Sequence, residues 1–315
     1  MDYHPPAWLL GPHAQTIWPL AIRGPLPDYR RERWETPDGD FIDLDHAGPS
    51  ISAVRVVLFH GLEGNSHSHY ARALMRCVAA RGWAGTVVHF RGCSGEPNRL
   101  PRAYHSGDSA EIDWILRRLA APSEVLFAAG VSLGGNVLLK WLGEQGAAAG
   151  ELLRAAAAVC APVDLAAADA SLSRGFNRFY AHHFLRSLVP TALAKAARFP
   201  GLFDPEPVRR ARTLRDFDDA VTAPLHGFRD AADYYARSSA GRQLDAIVLP
   251  TLQLHAANDP FLPVAALPAR ERLGRGISLH LLPAGGHVGF VAAGPPGHIE
   301  WLPRRLLGFF DTHLR

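Results

Sequence analysis

The chain has 315 residues, enough to bury the core of one α/β domain together with an inserted segment. Its 33 Lys and Arg residues nearly balance 30 Asp and Glu residues, which leaves a net charge of +3. Because the charge is low and no basic stripe with interleaved aromatics is present, a nucleic-acid partner is not expected. No protein partner is predicted either.

The N-terminal residues 1–29 are predicted to form an arm packed on the domain. The apolar residues 8–10 are interrupted by Gly11 and Pro12, long before a signal sequence or a membrane span could form. We therefore expect a cytoplasmic protein without integral membrane association. An arm that lies on a membrane surface is the alternative.

No metal site is predicted from the cysteines and histidines. The cysteines are odd in number and widely spaced, which favours free thiols in a reducing compartment; they are Cys77, Cys93 and Cys160. The pairs His67 with His69 and His182 with His183 lack a third ligand at metal-binding spacing, so they are interpreted as polar loop residues.

Strand-like and helix-like segments alternate along the chain, which predicts an α/β fold with a mostly parallel central sheet and flanking helices. A hairpin is expected at 30–35 and 41–45, around the turn Pro37-Asp38-Gly39. Further strands are predicted at 54–59, 85–90, 125–129, 155–160, 247–255 and 277–282. Helices are predicted at 70–80, 109–119, 136–143 and 299–313.

Residues 165–245 are too many for an ordinary crossover, so they are predicted to form a helical cap inserted before the strand that precedes the acid loop. Most aromatics of this cap should form its own core. A minority should line a substrate pocket, for which the candidates are Phe176, Phe179, Tyr180 and Phe184. Basic and acidic residues nearly balance here, so an anionic headgroup is not implied.

The sequence Gly130-Val131-Ser132-Leu133-Gly134 lies between a strand-like run and a helix-like stretch. This context is typical of a nucleophile elbow, in which a serine is exposed on a strained turn. Glycines two residues before and after the serine avoid steric overlap where the turn brings strand and helix together. Ser132 is the predicted nucleophile.

A serine nucleophile requires a general base and an acid that orients it, in the chain order Ser, Asp, His. Asp259 follows the predicted strand 247–255 and is the candidate acid. His287 lies in the glycine-lined loop after the strand 277–282 and is the candidate base. Asp164, after an earlier strand, is the alternative acid, and His298, near the start of the last helix, is the alternative base.

An oxyanion hole is expected because the tetrahedral intermediate carries negative charge. The strand 54–59 leads into the sequence HGLEG at 60–64. We predict that the backbone N–H groups of Leu62 and Leu133 form the hole, and that His60 braces the loop structurally. The loop at 91–95 lacks a phosphate-binding glycine pattern and is expected to shape one wall of the entrance.

Seven segments together resemble the YheT-type branch of the α/β-hydrolases, and they extend from residue 8 to residue 290. They are WLLGPHAQTIWP at 8–19, HGLEG at 60–64, RGCSGEPNRLPRAYHSGDSAEID at 91–113, GVSLGGN at 130–136, LRDFDDAVTAPLHGF at 214–228, ANDPF at 257–261 and GGHVGF at 285–290. The 91–113 segment is more specific than any single triad motif.

The resemblance implies a serine hydrolase of carboxylic esters with its triad at Ser132, Asp259 and His287. Members of the branch differ in substrate, from small esters to phospholipids, so the substrate is not fixed. No metal or organic cofactor is expected. Two alternatives stay open: transfer of the acyl group to an alcohol or thiol, and a non-catalytic binding protein on the same fold.

Overall fold

The computed structural model describes residues 3–121 and 124–314. Within these residues, eight strands form one sheet in the order β1-β2-β4-β3-β5-β6-β7-β8. The strands are β1 Arg30–Glu35, β2 Phe41–Ala47, β3 Val54–Phe59, β4 Ala84–Val88, β5 Val125–Val131, β6 Ala155–Val159, β7 Thr251–Ala256 and β8 Ile277–Leu282. The predicted α/β fold with a mostly parallel sheet is confirmed.

The direction of the strands places the functional loops. The β1–β2 hairpin is antiparallel, with Glu35 opposite Phe41, and β2 pairs antiparallel with β4. All other neighbouring strands are parallel. Parallel strands end at the same edge of a sheet, so the loops after β3, β5, β7 and β8 converge there.

Side-chain alternation along the central strands divides the core into two layers. In β3, Val57 and Phe59 face one layer, and Val56 and Leu58 face the other. Because both faces of the sheet are covered by helices, the inner strands are buried along nearly their whole length.

Helices cover both faces of the sheet and build the inserted segment. They are α1 Pro12–Ile17, α2 His69–Ala80, α3 Ser109–Leu119, α4 Leu133–Gln145, α5 Leu165–Leu172, α6 Arg178–Arg198, α7 Pro205–Arg210, α8 Leu214–Phe217, α9 Ala223–His226, α10 Ala231–Ser238 and α11 Trp301–Asp311. Helices α3 and α4 pack on one face, and α2 and α11 pack on the other.

Most predicted elements agree with the structure. The largest difference is in the residue at which β7 begins. The predicted strand 247–255 is found only from Thr251 onward. Pro250 has no N–H to give to a ladder, and Ile247 instead accepts a hydrogen bond from the N–H of Gly276. Ile247 and Leu249 are therefore buried without belonging to the strand.

Two further segments pack on this domain. Helices α5 to α10 lie between β6 and β7 and enclose a small core of their own that includes Leu185, Val208 and Phe217. The N-terminal segment contains α1 and is held by the Trp8 indole N–H, which donates to the Ala293 carbonyl at 2.9 Å. Across the described residues, none of the helices combines the length and the apolar character needed to span a bilayer.

Candidate active site

Ser132 occupies the turn between β5 and α4 in a strained conformation, with φ 52° and ψ −119°. Glycines make this turn possible. A Cβ at position 130 would overlap the backbone of Gly134 and Gly135, and one at position 134 would overlap the Phe59 and His60 carbonyls. Gly134 is thus required because it lies against the backbone at the end of β3, a contact that the sequence did not indicate.

Three side chains form a continuous hydrogen-bonded chain at this edge of the sheet. The Nε2 atom of His287 lies 3.0 Å from the Oγ atom of Ser132. Its Nδ1 atom lies 2.9 Å and 3.2 Å from the two carboxylate oxygens of Asp259. Loops after β5, β7 and β8 therefore bring together the three residues that were predicted from sequence.

The environment of Asp259 favours an ionised carboxylate. Burial opposes ionisation, but the charge of His287 and hydrogen bonds outweigh it and lower the pKa of the Asp259 carboxyl. One of those bonds comes from the Phe261 backbone N–H at 2.8 Å. A buried anion held in this way can orient an imidazole and stabilise its protonated form.

The two alternative residues have other roles in the structure. Asp164 is exposed and caps α5, where its carboxylate accepts the Ala167 N–H at 3.0 Å. His298 exchanges backbone hydrogen bonds with Ala292, and its Nδ1 accepts the Glu300 N–H at 3.2 Å. Neither side chain belongs to the chain of bonds at Ser132.

Cys160 lies behind this arrangement and is buried. Its sulfur, an Asp259 oxygen and a His287 nitrogen all lie within 4.8 Å of one another. Burial raises the pKa of the Cys160 thiol well above its usual value, which disfavours the thiolate that a metal would need. His287 already shares a hydrogen with Asp259, so the three groups suit a hydrogen-bonded cluster better than a metal site.

The N-terminal segment positions the loop that carries His287, a role that local sequence patterns did not reveal. The Thr16 Oγ1 atom accepts the His287 N–H at 2.9 Å. The Gln15 Oε1 atom accepts from the Gly285 N–H and from the Asn258 side chain, both at 2.9 Å. Because Asn258 precedes Asp259, Gln15 links the acid loop and the base loop.

Two further groups fix the imidazole. The Phe261 ring stacks on the His287 ring with centroids 3.9 Å apart and planes 14° apart. His69, predicted to lie in a polar loop, is instead the first residue of α2 and is buried, with Nε2 3.0 Å from the Val288 carbonyl. Burial lowers the pKa of His69 to about 4, so a neutral ring supports the backbone next to His287.

The loop after β3 carries Leu62, the predicted oxyanion donor, which lines the same cavity as Ser132. Tyr70 and Tyr104 hold this loop from both sides, because their hydroxyl oxygens accept the Gly61 and Glu63 N–H groups, each at 2.9 Å. The Tyr104 hydroxyl also donates to the Glu63 carboxylate at 2.8 Å. Within residues 3–121 and 124–314, the N–H groups of Leu62 and Leu133 donate to no other protein group, which leaves both available to an oxyanion.

We expect Tyr104→Phe to lower kcat for ester hydrolysis about tenfold with little change in KM. Loss of the hydroxyl should displace the Leu62 N–H, and this N–H stabilises the reaction mainly when the oxyanion forms. Steady-state kinetics would measure this split. Tyr3→Phe is the matched control, because it removes a buried hydroxyl that donates to the Val291 carbonyl and not to this loop. Equal kcat losses in both variants would contradict a positioning role for Tyr104.

A cavity of about 560 Å³ opens over Ser132 and extends beneath the inserted helices. Ser132, His287 and Leu62 lie at its floor, and Phe184, Phe217 and Phe261 are among the aromatic residues of its walls. Arg91, Gly92 and Gly95 also line it, as expected for the loop that was predicted to shape the entrance.

The predicted pocket residues require a correction. Phe184 lines the cavity, but Phe176 and Phe179 are 53% and 58% exposed and lie outside its wall. Tyr180 is buried and does not line the cavity, and its ring packs on Phe261 with ring centroids 4.9 Å apart. Tyr180 and Phe184 are four residues apart on one face of α6, whereas Phe179 points away from that face.

The chain is similar in sequence and in fold to known hydrolases. Residues 54–292 match the family model described as alpha/beta hydrolase fold. YheT of Escherichia coli (strain K12), whose name marks it provisionally as an esterase, is 39% identical over 96% of this chain and 91% of its own. Phospholipase ABHD3 of Mus musculus is 30% identical over 96% of this chain and 76% of its own.

A solved structure extends this likeness to the fold. The Pyrococcus furiosus esterase PF2001 covers 100% of this chain, which in turn covers 97% of that structure, with a TM-score of 0.58 and 15% identity. At such low identity the likeness concerns the architecture alone.

Proposed function

The chain belongs to the α/β-hydrolase family, and within that family we propose that it cleaves carboxylic esters of small molecules or lipids through an acyl-enzyme intermediate. The observation that carries the proposal is the continuous contact from the Ser132 Oγ through His287 to Asp259, with distances of 3.0 Å and 2.9 Å. This is the arrangement that a nucleophile, its base and an orienting acid require.

In the proposed reaction, the Ser132 Oγ attacks the ester carbonyl carbon as its proton passes to Nε2 of His287. The N–H groups of Leu62 and Leu133 hold the oxyanion. His287 then gives the proton to the leaving alcohol as the carbon–oxygen bond breaks, which leaves the acyl group on Ser132. Water, deprotonated by His287, attacks that acyl group and releases the carboxylic acid and free Ser132.

The cavity supports esters with an apolar acyl chain. Leu165, Leu188 and Val221 join the aromatic residues of its wall, so most of the surface that an acyl chain would contact is hydrophobic. A panel of esters with acyl chains of two to sixteen carbons, tested with the purified protein, measures both the reaction and its preference. Absence of ester hydrolysis across the whole panel would contradict the proposed function.

We expect Phe184→Ala to lower kcat/KM for long acyl esters by 10- to 200-fold while acetate esters lose much less, since one lost hydrophobic contact costs about 1–3 kcal/mol. The ratio of kcat/KM for decanoate and acetate esters measures this effect. Phe179→Ala is the matched control, because Phe179 lies on the same helix but is 58% exposed. If both variants change the ratio equally, Phe184 does not contact the acyl chain.

A further inference from the structure

One end of the cavity carries two cations without carboxylate partners. Lys195 and Arg198 lie three residues apart in the last turn of α6, and both line the cavity. In the part of the chain that the structure describes, neither side chain makes an ion pair. This distinguishes them from Arg91, which also lines the cavity but is paired with Asp38, Asp40 and Glu111.

Both cations have more N–H donors than they use in hydrogen bonds within the described residues. Among the described residues, the Lys195 Nζ atom donates only to the Leu100 and Arg102 carbonyls, both at the long distance of 3.4 Å. Arg198 donates one N–H to the Asn98 carbonyl at 2.6 Å. An ammonium has three donors and a guanidinium has five, so several remain for a ligand. The two groups are close together, since all three carbonyls belong to one short loop.

The carboxylates nearby do not neutralise this pair. The charge of Asp40 acts on Lys195, but the Asp40 oxygens already accept from Asn98, from backbone N–H groups and from Arg91. Glu96 lines the cavity and pairs with Arg33. Glu63, in the loop after β3, accepts the Tyr104 hydroxyl.

The other acids of the cavity belong to the inserted helices, and burial disfavours their ionised form. Burial raises the pKa of Asp218 to about 7, and burial also raises the pKa of Asp169. Asp218 is further held by the Thr222 and Tyr235 hydroxyls. Acidic and basic residues therefore nearly balance in number in this segment, but their charges are unevenly distributed around the cavity.

We propose that Lys195 and Arg198 form a subsite for an anionic group, a phosphate or a carboxylate, on the part of the substrate that does not react. This inference rests on the proposed function, because it assumes that the anionic group is part of the ester substrate. Arg198 is exposed and Lys195 is half-buried, so the pair forms a rim at which an anion keeps contact with water while the apolar chain enters the cavity.

Burial lowers the pKa of Lys195, which means that the fold disfavours the charge of this ammonium. A bound anion would offset that cost, because an opposite charge nearby favours the protonated amine. Phosphate and carboxylate oxygens also match the spare N–H donors of the guanidinium. The expected substrate is thus an amphiphilic ester with one apolar chain and one negatively charged end.

Direct binding tests this proposal without requiring catalysis. Calorimetric titration of the intact protein with octyl phosphate, with nonanoate and with neutral octanol is expected to show at least tenfold tighter binding of one or both anions. The double variant Lys195→Met, Arg198→Met should lose that preference and still bind octanol. Comparison of the two anions distinguishes a phosphate site from a general anion site. Tighter binding of either anion than of octanol supports the proposal.

The charge-matched control is Arg272→Met, Arg275→Met, which removes two exposed cations that do not line the cavity. It should bind the anions as the wild type does. Equal affinities for anions and octanol in the wild type, or equal losses in both double variants, would overturn the subsite. Anion binding without hydrolysis of any ester would instead retain the subsite and refute the proposed function, so the two failures are distinct.

Discussion

Ser132→Ala is expected to lower kcat for ester hydrolysis by roughly 10⁶-fold, the loss typical of a removed nucleophile in a cooperative triad. Alanine lacks the Oγ atom that attacks the carbonyl but retains the Cβ, so the strained turn with φ 52° keeps its geometry. The residual rate would come from the oxyanion donors and the cavity, which can still bind the ester.

Two measurements check this expectation. Initial rates on the ester panel give the loss in kcat, and a fluorophosphonate probe reports the nucleophile directly, since it should label Ser132 and leave the variant unlabelled. Ser187→Ala is the matched control, because its hydroxyl is exposed and donates only to the Phe184 carbonyl. A labelled Ser132→Ala protein would place the nucleophile elsewhere.

The fold was predictable because its strands and helices have strong local patterns. The helix at 109–119 and the strand at 277–282 were predicted with the bounds that the structure has. Strand order was not read from the sequence, but parallel strands end at one edge, so residues just after successive strands could be expected to meet. This is why Ser132, Asp259 and His287 could be grouped although they are widely separated in sequence.

The contacts that support these residues could not be predicted in the same way. Thr16 and His287 are 271 positions apart, and nothing in the local pattern around Thr16 distinguishes it from another polar residue of a short helix. Tyr70 and Tyr104 likewise contact the loop after β3 through hydroxyl groups on separate segments. Such contacts depend on tertiary packing, which periodicity does not encode.

The pocket shows where a sharper use of periodicity would have helped. A helical phase would have separated Tyr180 and Phe184, which share a face, from Phe179, which does not. Phe176 precedes α6, so the helix does not fix its direction. The cationic pair at Lys195 and Arg198 was missed for another reason, because a net count of charges does not report which of them are paired.

Asp259→Asn is expected to lower kcat by roughly 10⁴-fold while the protein remains folded. Asparagine can keep an oxygen on the Phe261 N–H, but its amide then presents a donor to Nδ1 of His287. The imidazole must adopt the tautomer with the proton on Nε2, and that nitrogen can no longer accept the Ser132 proton. The pH–rate profile and kcat of the variant, with a thermal melt to verify folding, measure the effect.

Asp164→Asn provides the comparison that assigns the acid. Asp164 caps α5, and asparagine is an equally good N-cap, so this substitution should leave both the melting temperature and kcat nearly unchanged. A nearly unchanged kcat in Asp259→Asn together with a large loss in Asp164→Asn would move the acid to the loop after β6. The structure favours Asp259 as the acid, because Asp259 is buried and contacts His287. The exposed carboxylate of Asp164 instead accepts the Ala167 N–H.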